Sequence, residues 1–519
     1  MCRLGNLPHR TSSNNMRNIL ALKSQIIDTT APGSVERDRL PRGEYVLAAV
    51  CVTASVLIFI GLNRAVVHWF LLPVMACGVI AGADVIRWLR GRLDLFDPKT
   101  IIACLAFYGF FVTPILHVVW DRFGVGNEMF LWGDWRIWLG AMGCLNALGL
   151  LAYNWAHNFQ FARAIPSPTR WEVDRKKFYA VFTFALACSI AGVVTFISSL
   201  DGIPGIIESY ENNQEAFAGK GWLLVLAWPL AILSFIFVVF LWTDRQRKDR
   251  RRLSTGLMFL SVAGIGHFIL LGWYGSRAST IWALFWMAGI IHYRFRKLSP
   301  KMMSMGLIFL IAFMYFYGFY KERKRMGLEV LRSPVMWLEP VGYERDLKSL
   351  LLGDLARADS NALILHNLIK DPGDYDYRWG LTYVGAFGIL VPRNIWLDRP
   401  EFKVDAGTEA QLGKATPWRS SRVYGLGGEA MLNFGPLGVL PMFALIGIAL
   451  GWYRRKLNSW SPSDSRMFLA PFFSILFATA FVGDSDNLVF AALTEGALVV
   501  AAIFAASKRV QMESEKRLL

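Results

Sequence analysis

The sequence predicts an all-α polytopic membrane protein with about twelve spanning helices and one large outer loop domain that contains short helices. Three observations predict it. Of 519 residues, 54% are hydrophobic and only 18% charged, with a mean hydropathy of +0.37, far from the average soluble chain. Apolar runs long enough to cross a hydrocarbon core of ~30 Å recur along the chain. The basic residues collect in alternate connecting segments, as they do when one side of a membrane retains positive charge.

Taken in order, the apolar runs fall near 45–61, 65–83, 101–119, 137–153, 178–199, 221–242, 253–273, 279–293, 303–319, 436–452, 467–483 and 488–506, the eighth being short. This divides the chain into a cytoplasmic segment 1–44, helices 1–9 over 45–319, an outer loop 320–435, helices 10–12 over 436–506 and a cytoplasmic tail 507–519. With both termini inside, the basic runs Asp244–Arg252, His292–Lys297 and Tyr453–Lys456 all face the cytoplasm, while the short outer loops carry Arg64, Arg122, Arg136, Lys220 and Arg277. The net charge of +16 therefore reads as topology anchors at lipid headgroups, and a nucleic-acid partner is not expected.

Residues 1–44 lack the long apolar stretch of a cleavable signal, so the first span is expected to act as an uncleaved one. The cysteines Cys2, Cys51, Cys77, Cys104, Cys144 and Cys188 lie in the N-terminal segment or in apolar runs, with neither a disulfide framework nor metal spacing. His68, His117 and His267 are isolated within or near spans, and no metal or other cofactor is expected. No internal repeat relates the two halves, which argues against transporter folds built from repeats.

Chemistry is expected in the segment from Arg357 to Gly438, which interleaves Arg, Asp, Glu, Trp, Tyr and Gly. The charges of the whole outer loop 320–435 nearly balance, and a long loop is exempt from the positive-inside count. Leu347, Leu351, Leu355 and Ala358 predict a helix over 341–369, with Arg357 and Asn361 one turn apart on it. Asp371-Pro372-Gly373-Asp374 ends that helix.

The outer segments supply Arg277, Arg357, Arg378, Arg393, Arg399, Arg419 and Arg422. A synthetic reaction outside the cytoplasm has no ATP or nucleotide sugar, so its energy must arrive on a lipid-linked substrate such as a polyprenyl diphosphate. Guanidinium groups suit that leaving group because their planar fork pairs with phosphate oxygens. Arg277 reads either as a headgroup anchor or as a phosphate contact. Arg393 and Arg399 sit beside Pro392 and Pro400, which stiffen the loop, and Trp396 offers a flat face to a sugar or to the membrane surface. Glu429, at the entrance to helix 10, reads as a general base or as an acid complementing a helix dipole, with Asp398 and Asp359 as second choices for the base. His366 reads as a packed histidine, and Asp484 and Asp486 in the Gly483–Asn487 connection as an ordinary turn.

These residues resemble the Wzy-type polymerases of O-antigen and exopolysaccharide repeat units. The resemblance is carried by Gly275-Ser276-Arg277, Arg357, Gly380-Leu381-Thr382-Tyr383, Pro392-Arg393-Asn394-Ile395-Trp396, Arg399-Pro400, and Glu429 followed by Asn433-Phe434-Gly435 and Gly438. Arg399-Pro400 stands where Lys-Pro is expected, which keeps the charge but changes the donor geometry.

The resemblance implies a metal-independent integral glycosyltransferase of GT-C-like architecture in the bacterial inner membrane, polymerising polyprenyl-diphosphate-linked glycans at the periplasmic face. It assigns catalysis to Glu429, Arg277 and Arg357 and substrate binding to Arg393, Arg399, Arg422, Trp396, Tyr383 and Arg378. Membrane lipids, a chain-length regulator and a flippase are the partners it suggests. An O-antigen ligase uses the same chemistry on a different acceptor. A lipid-linked oligosaccharide flippase would need no outer domain.

Overall fold

The computed structural model describes residues 42–122, 133–161, 170–202, 204–206, 221–245, 253–272, 277–323, 346–389, 391, 396–398, 400, 403–414, 422–461 and 463–510. Among them, ten helices are long and apolar enough to cross a membrane: α1 Arg42–Leu62, α2 Leu71–Leu89, α3 Pro98–Trp120, α4 Arg136–Phe161, α5 Arg175–Ser198, α6 Trp222–Thr243, α7 Leu253–Leu270, α9 Pro300–Tyr320, α14 Pro436–Ser459 and α16 Ser485–Ala505. The protein is a multi-pass, all-α membrane protein.

The two other expected spans are helices that do not qualify by length and apolarity. Helix α8, Arg277–Arg294, bears Arg277, His292 and Arg294. Helix α15, Ala470–Val482, has 13 residues, about 20 Å at 1.5 Å per residue, because the chain before it is taken up in a 3-10 turn at Ser465–Phe468.

The helices pack through two large apolar clusters. In one, Phe178, Phe235, Trp286, Phe472 and Val499 join α5, α6, α8, α15 and α16. In the other, Cys77, Met142, Tyr153, Tyr424 and Phe443 join α2 and α4 to α14 and to the loop helices. Helices α4 and α14 approach closely at Gly447 and Gly451, one turn apart. A Cβ on Gly447 would meet the Tyr153 carbonyl oxygen at 2.4 Å, and one on Gly451 the His157 carbonyl oxygen at 2.6 Å. Small residues at this spacing let two backbones touch, and packing of this kind is what associates helices in lipid.

At the end expected to face the cytoplasm, buried charges tie five helices together. Glu44 of α1 takes Arg92 at 2.8 Å and Arg87 of α2 at 3.4 Å, and Asp84 takes Arg87 at 3.2 Å and Lys99 of α3 at 3.4 Å. Asp97 caps α3 and takes Arg454 of α14 at 2.8 Å, while Arg454 also reaches His157 of α4 at 2.9 Å. Two short strands that the sequence reading did not anticipate meet at the same end. Strand β1, Arg170–Val173, pairs antiparallel with β2, Ser507–Val510, which begins the segment expected to be a plain tail.

The described part of the segment between α9 and α14 holds short helices: α10 Ala358–Lys370, α11 Leu381–Ala386, α12 Lys403–Leu412 and α13 Gly425–Phe434. The continuous helix expected over 341–369 is broken. A π-helical turn spans Ser349–Asp354, and Arg357 is the N-cap of α10, with ψ 4°, rather than a residue within a helix. The Asp371–Asp374 stop falls where expected, after Lys370.

Candidate functional site

The site is built around α13. Its first residue, Gly425, has φ +69°, and Gly435 beyond its end has φ +75°, both in the left-handed region that favours glycine. Between them Glu429 is 3% exposed. Its Oε1 accepts from Thr382 Oγ1 at 2.8 Å and from Ser485 Oγ at 2.6 Å, and its Oε2 accepts from the Ser485 backbone N–H at 2.7 Å. Among the described residues no cation pairs with it.

Thr382 is held in place by Asn433, which also orders the preceding turn. Asn433 Nδ2 donates to Thr382 Oγ1 at 2.7 Å and to the Glu429 carbonyl at 2.9 Å, and its Oδ1 accepts from the Gly380 N–H at 2.9 Å. Gly380, with φ +90°, lets the chain turn into α11 there. The N–H groups of Arg378 and Trp379 donate to the carbonyls of Leu432 and Asn433, so residues 378–380 lie along the end of α13. Two segments separate in sequence, Gly380–Tyr383 and Glu429–Gly435, thus form one hydrogen-bonded unit.

Asp484 completes the electrostatics, and reading it as an ordinary turn residue is corrected. It is 2% exposed, pairs with Lys403 Nζ of α12, and accepts at Oδ1 from the N–H groups of Tyr424 at 2.9 Å and Gly425 at 2.8 Å. Lys403 also lies 3.7 Å from Asp486 and donates to the Arg422 carbonyl at 3.3 Å. Burial, then the nearby Asp484 carboxylate, push the Glu429 carboxyl up to about 7, against the hydrogen bonds from Ser485 and Thr382. Burial raises the Asp484 carboxyl as well, while Lys403 and the backbone donors pull it back. A carboxyl poised near neutrality exchanges protons readily, as general acid–base chemistry requires.

The expected arginines divide. Arg357 lines a narrow cleft with Gly109, Phe110, Met142, Asn146 and Asn361, on the α3–α4 side of the loop. Asn361 Nδ2 donates to the Tyr424 carbonyl at 3.1 Å, and a Cβ on Gly428 would meet Asn361 Oδ1 at 2.5 Å. Helix α10 therefore packs on the Gly428 side of α13, while Glu429 turns to α11 and α16 and does not line the Arg357 cleft.

Arg422 pairs with Asp359 at 3.3 Å, so that fully buried second-choice base is part of an ion pair. Arg378 pairs with Glu409 and lies over the Tyr375 ring. The Tyr383 ring stacks on Phe434, and burial raises its phenol well above the usual range. Trp396 is half-buried and Asp398 exposed. His366 packs edge-on to Trp138 at 4.8 Å. Arg393, Arg399, Arg419, Asn394, Gly275, Ser276 and the Arg277 side chain lie outside the described residues.

Sequence reasoning missed Lys403, Ser485 and the part played by Asp484. The available signal was the pair of acids in Gly483–Asn487, expected on the same side of the membrane as Glu429. Among the described residues no group of three or more His, Cys, Asp or Glu side chains is arranged to hold a metal.

Fold and site together define a multi-pass helical membrane protein with a buried carboxyl in a polar cradle at one end of its bundle. Comparison with family models, with curated proteins and with solved structures finds no match for this chain.

Proposed function

We propose that the chain is an integral-membrane glycosyltransferase that polymerises polyprenyl-diphosphate-linked oligosaccharide units at the outer face of the bacterial inner membrane, with both termini in the cytoplasm. The observation that carries the reading is the union of Gly380–Tyr383 with Glu429–Gly435 around one buried carboxyl. These are two of the segments on which the resemblance to Wzy-type polymerases rests.

In this reading Glu429 accepts the proton of an acceptor sugar hydroxyl. The oxygen attacks the anomeric carbon of the donor glycan, the bond to the diphosphate breaks, and the electron pair leaves on the polyprenyl diphosphate. Arg357, with Arg277 and Arg393, offsets the charge that develops there. Arg399, Arg422, Arg378, Tyr383 and Trp396 are assigned to glycan and phosphate binding, though Arg422 and Arg378 must first exchange a carboxylate partner for substrate. Helices α8 and α15 complete twelve crossings in this topology, and a chain-length regulator and a flippase are the protein partners it calls for.

Deletion of the gene followed by analysis of surface glycans tests the reading. A polymerase loss leaves single capped units. Lipid-bound polymer would point to a ligase instead, and units trapped inside the cell to a flippase. Arg357→Ala and Arg277→Ala should each abolish long chains with the protein still present in the membrane. Wild-type chain length in either variant removes that residue from the site.

A further inference from the structure

A second, mostly apolar cleft lies inside the helical bundle, away from α13. It is lined by His267 of α7, Trp228 of α6, Ser279 and Trp286 of α8, and Glu495 near the middle of the 21-residue span α16. His267 is 4% exposed and neither ring nitrogen has a hydrogen-bond partner; the indole N–H of Trp228, 8% exposed, has none either. Glu495 is partly exposed and forms no ion pair among the described residues.

The backbone is shaped around this cleft. Glu495 lies within a π-helical segment, Ala492–Ala497, and His267 immediately precedes another, Phe268–Gly272. Each such turn departs from the regular helical hydrogen-bond pattern, and these turns concentrate at functional sites. Two details hold the distortions in place. Tyr317 donates to the Gly272 carbonyl at 3.2 Å, and Gly496 sits so close to Phe472 that a Cβ would lie 1.9 Å from its ring.

An ionisable pair at this depth is costly to keep without a use. The elements packed on the cleft present Trp228 from α6, Ser279 and Trp286 from α8 and Phe472 from α15, so His267 and Glu495 are the titratable side chains that face it among the described residues. One proton shared between a carboxyl and an imidazole leaves the pair with no net charge, whichever group carries it. Both line the same cleft with the Trp228 indole and the Ser279 hydroxyl, and two to four polar partners are what a buried water needs.

We propose that this cleft is a proton-binding site within the membrane, in which Glu495 and His267 hold one proton between them through a water anchored by Trp228 and Ser279. The proton passes from the carboxyl oxygen to the water while the water gives one to the imidazole nitrogen, and the net charge stays at zero. The site shares no residue with the Glu429 cradle, and its test does not depend on glycan transfer.

The experiment treats the full-length protein, folded in detergent, with dicyclohexylcarbodiimide. This hydrophobic reagent adds to a protonated carboxyl to leave an N-acylurea, located by peptide mass spectrometry. Labelling at Glu495 is expected, falling as pH rises and absent in Glu495→Gln. His267→Gln is expected to move the midpoint of that pH dependence by about one unit or more, because groups that share a proton titrate as a pair. Trp228→Phe keeps the bulk and removes one donor, giving a smaller shift and serving where the histidine variant does not fold. No labelling of the folded protein overturns the proposal, as does a midpoint that neither variant moves.

Discussion

Two of the buried charge clusters among the described residues differ in balance. At the end expected to face the cytoplasm, Glu44, Asp84 and Asp97 are each matched by Arg or Lys: Glu44 by Arg87 and Arg92, Asp84 by Arg87 and Lys99, and Asp97 by Arg454. Around α13, Lys403 answers Asp484 and Asp486, and Glu429 is left to hydroxyls and one backbone N–H. Matched charges fix helices relative to one another. An unmatched carboxyl costs stability, and its placement makes sense as chemistry.

The largest effect should come from Glu429→Gln. If the surplus carboxyl is the base, chain elongation falls by at least about 100-fold with the protein level in membranes unchanged; electrophoresis of the glycan beside an immunoblot reads both. A variant that still makes long chains would reduce Glu429 to a structural residue.

The matched cluster should respond in the opposite way. Asp84→Ala breaks the buried ion pair with Lys99, at a cost of about 3–5 kcal/mol. Thermal unfolding of the detergent-solubilised protein should show a clear loss, and whatever protein remains folded should elongate chains normally.

Two pH experiments sharpen the contrast. Asp484→Asn removes the negative neighbour that helps raise Glu429 and leaves Lys403 near, so the acid limb of the elongation rate should move to lower pH. For stability the sign is set by a carboxyl raised from 4.5 to about 7 on folding. Such a group favours the folded state while protonated, and that contribution is lost as pH rises through the folded value. Glu429→Gln should therefore melt higher than the parent above pH 7, with the difference vanishing below about pH 4.5. The smallest effect belongs to Arg92→Gln at the edge of the matched cluster, where the arginine side chain is 57% exposed and below about 1 kcal/mol is at stake.

Much of the scaffold was legible because hydropathy is a local property. Each of the ten qualifying helices coincides with an apolar run, and the short eighth run proved to be a helix too polar to count. Where neighbouring turns decide, the helix bounds differ from the expected ones. The run near 467–483 spends its first residues on a 3-10 turn capped by Asp464, and the helix expected through Arg357 gives way after Asp354.

Glu429 was legible as an acid in a glycine-rich stretch beside a span. Its environment was not, since Ser485 and Thr382 approach from elsewhere in the chain and Asp484 draws its meaning from Lys403 on another helix. The arginines show the same limit. Sequence identified Arg378 and Arg422 as cations but gave no sign of Glu409 and Asp359 already beside them.

The pairing of Arg170–Val173 with Ser507–Val510 has a consequence for biosynthesis. A ribosome delivers the first strand early and the second only after α16 has been made, so the hem of the bundle stays unfastened while later helices enter the bilayer. Assembly can thus admit each newcomer laterally and close once, at the finish. A variant with proline at Lys508 should insert all its helices and yet leave that seam open to proteases.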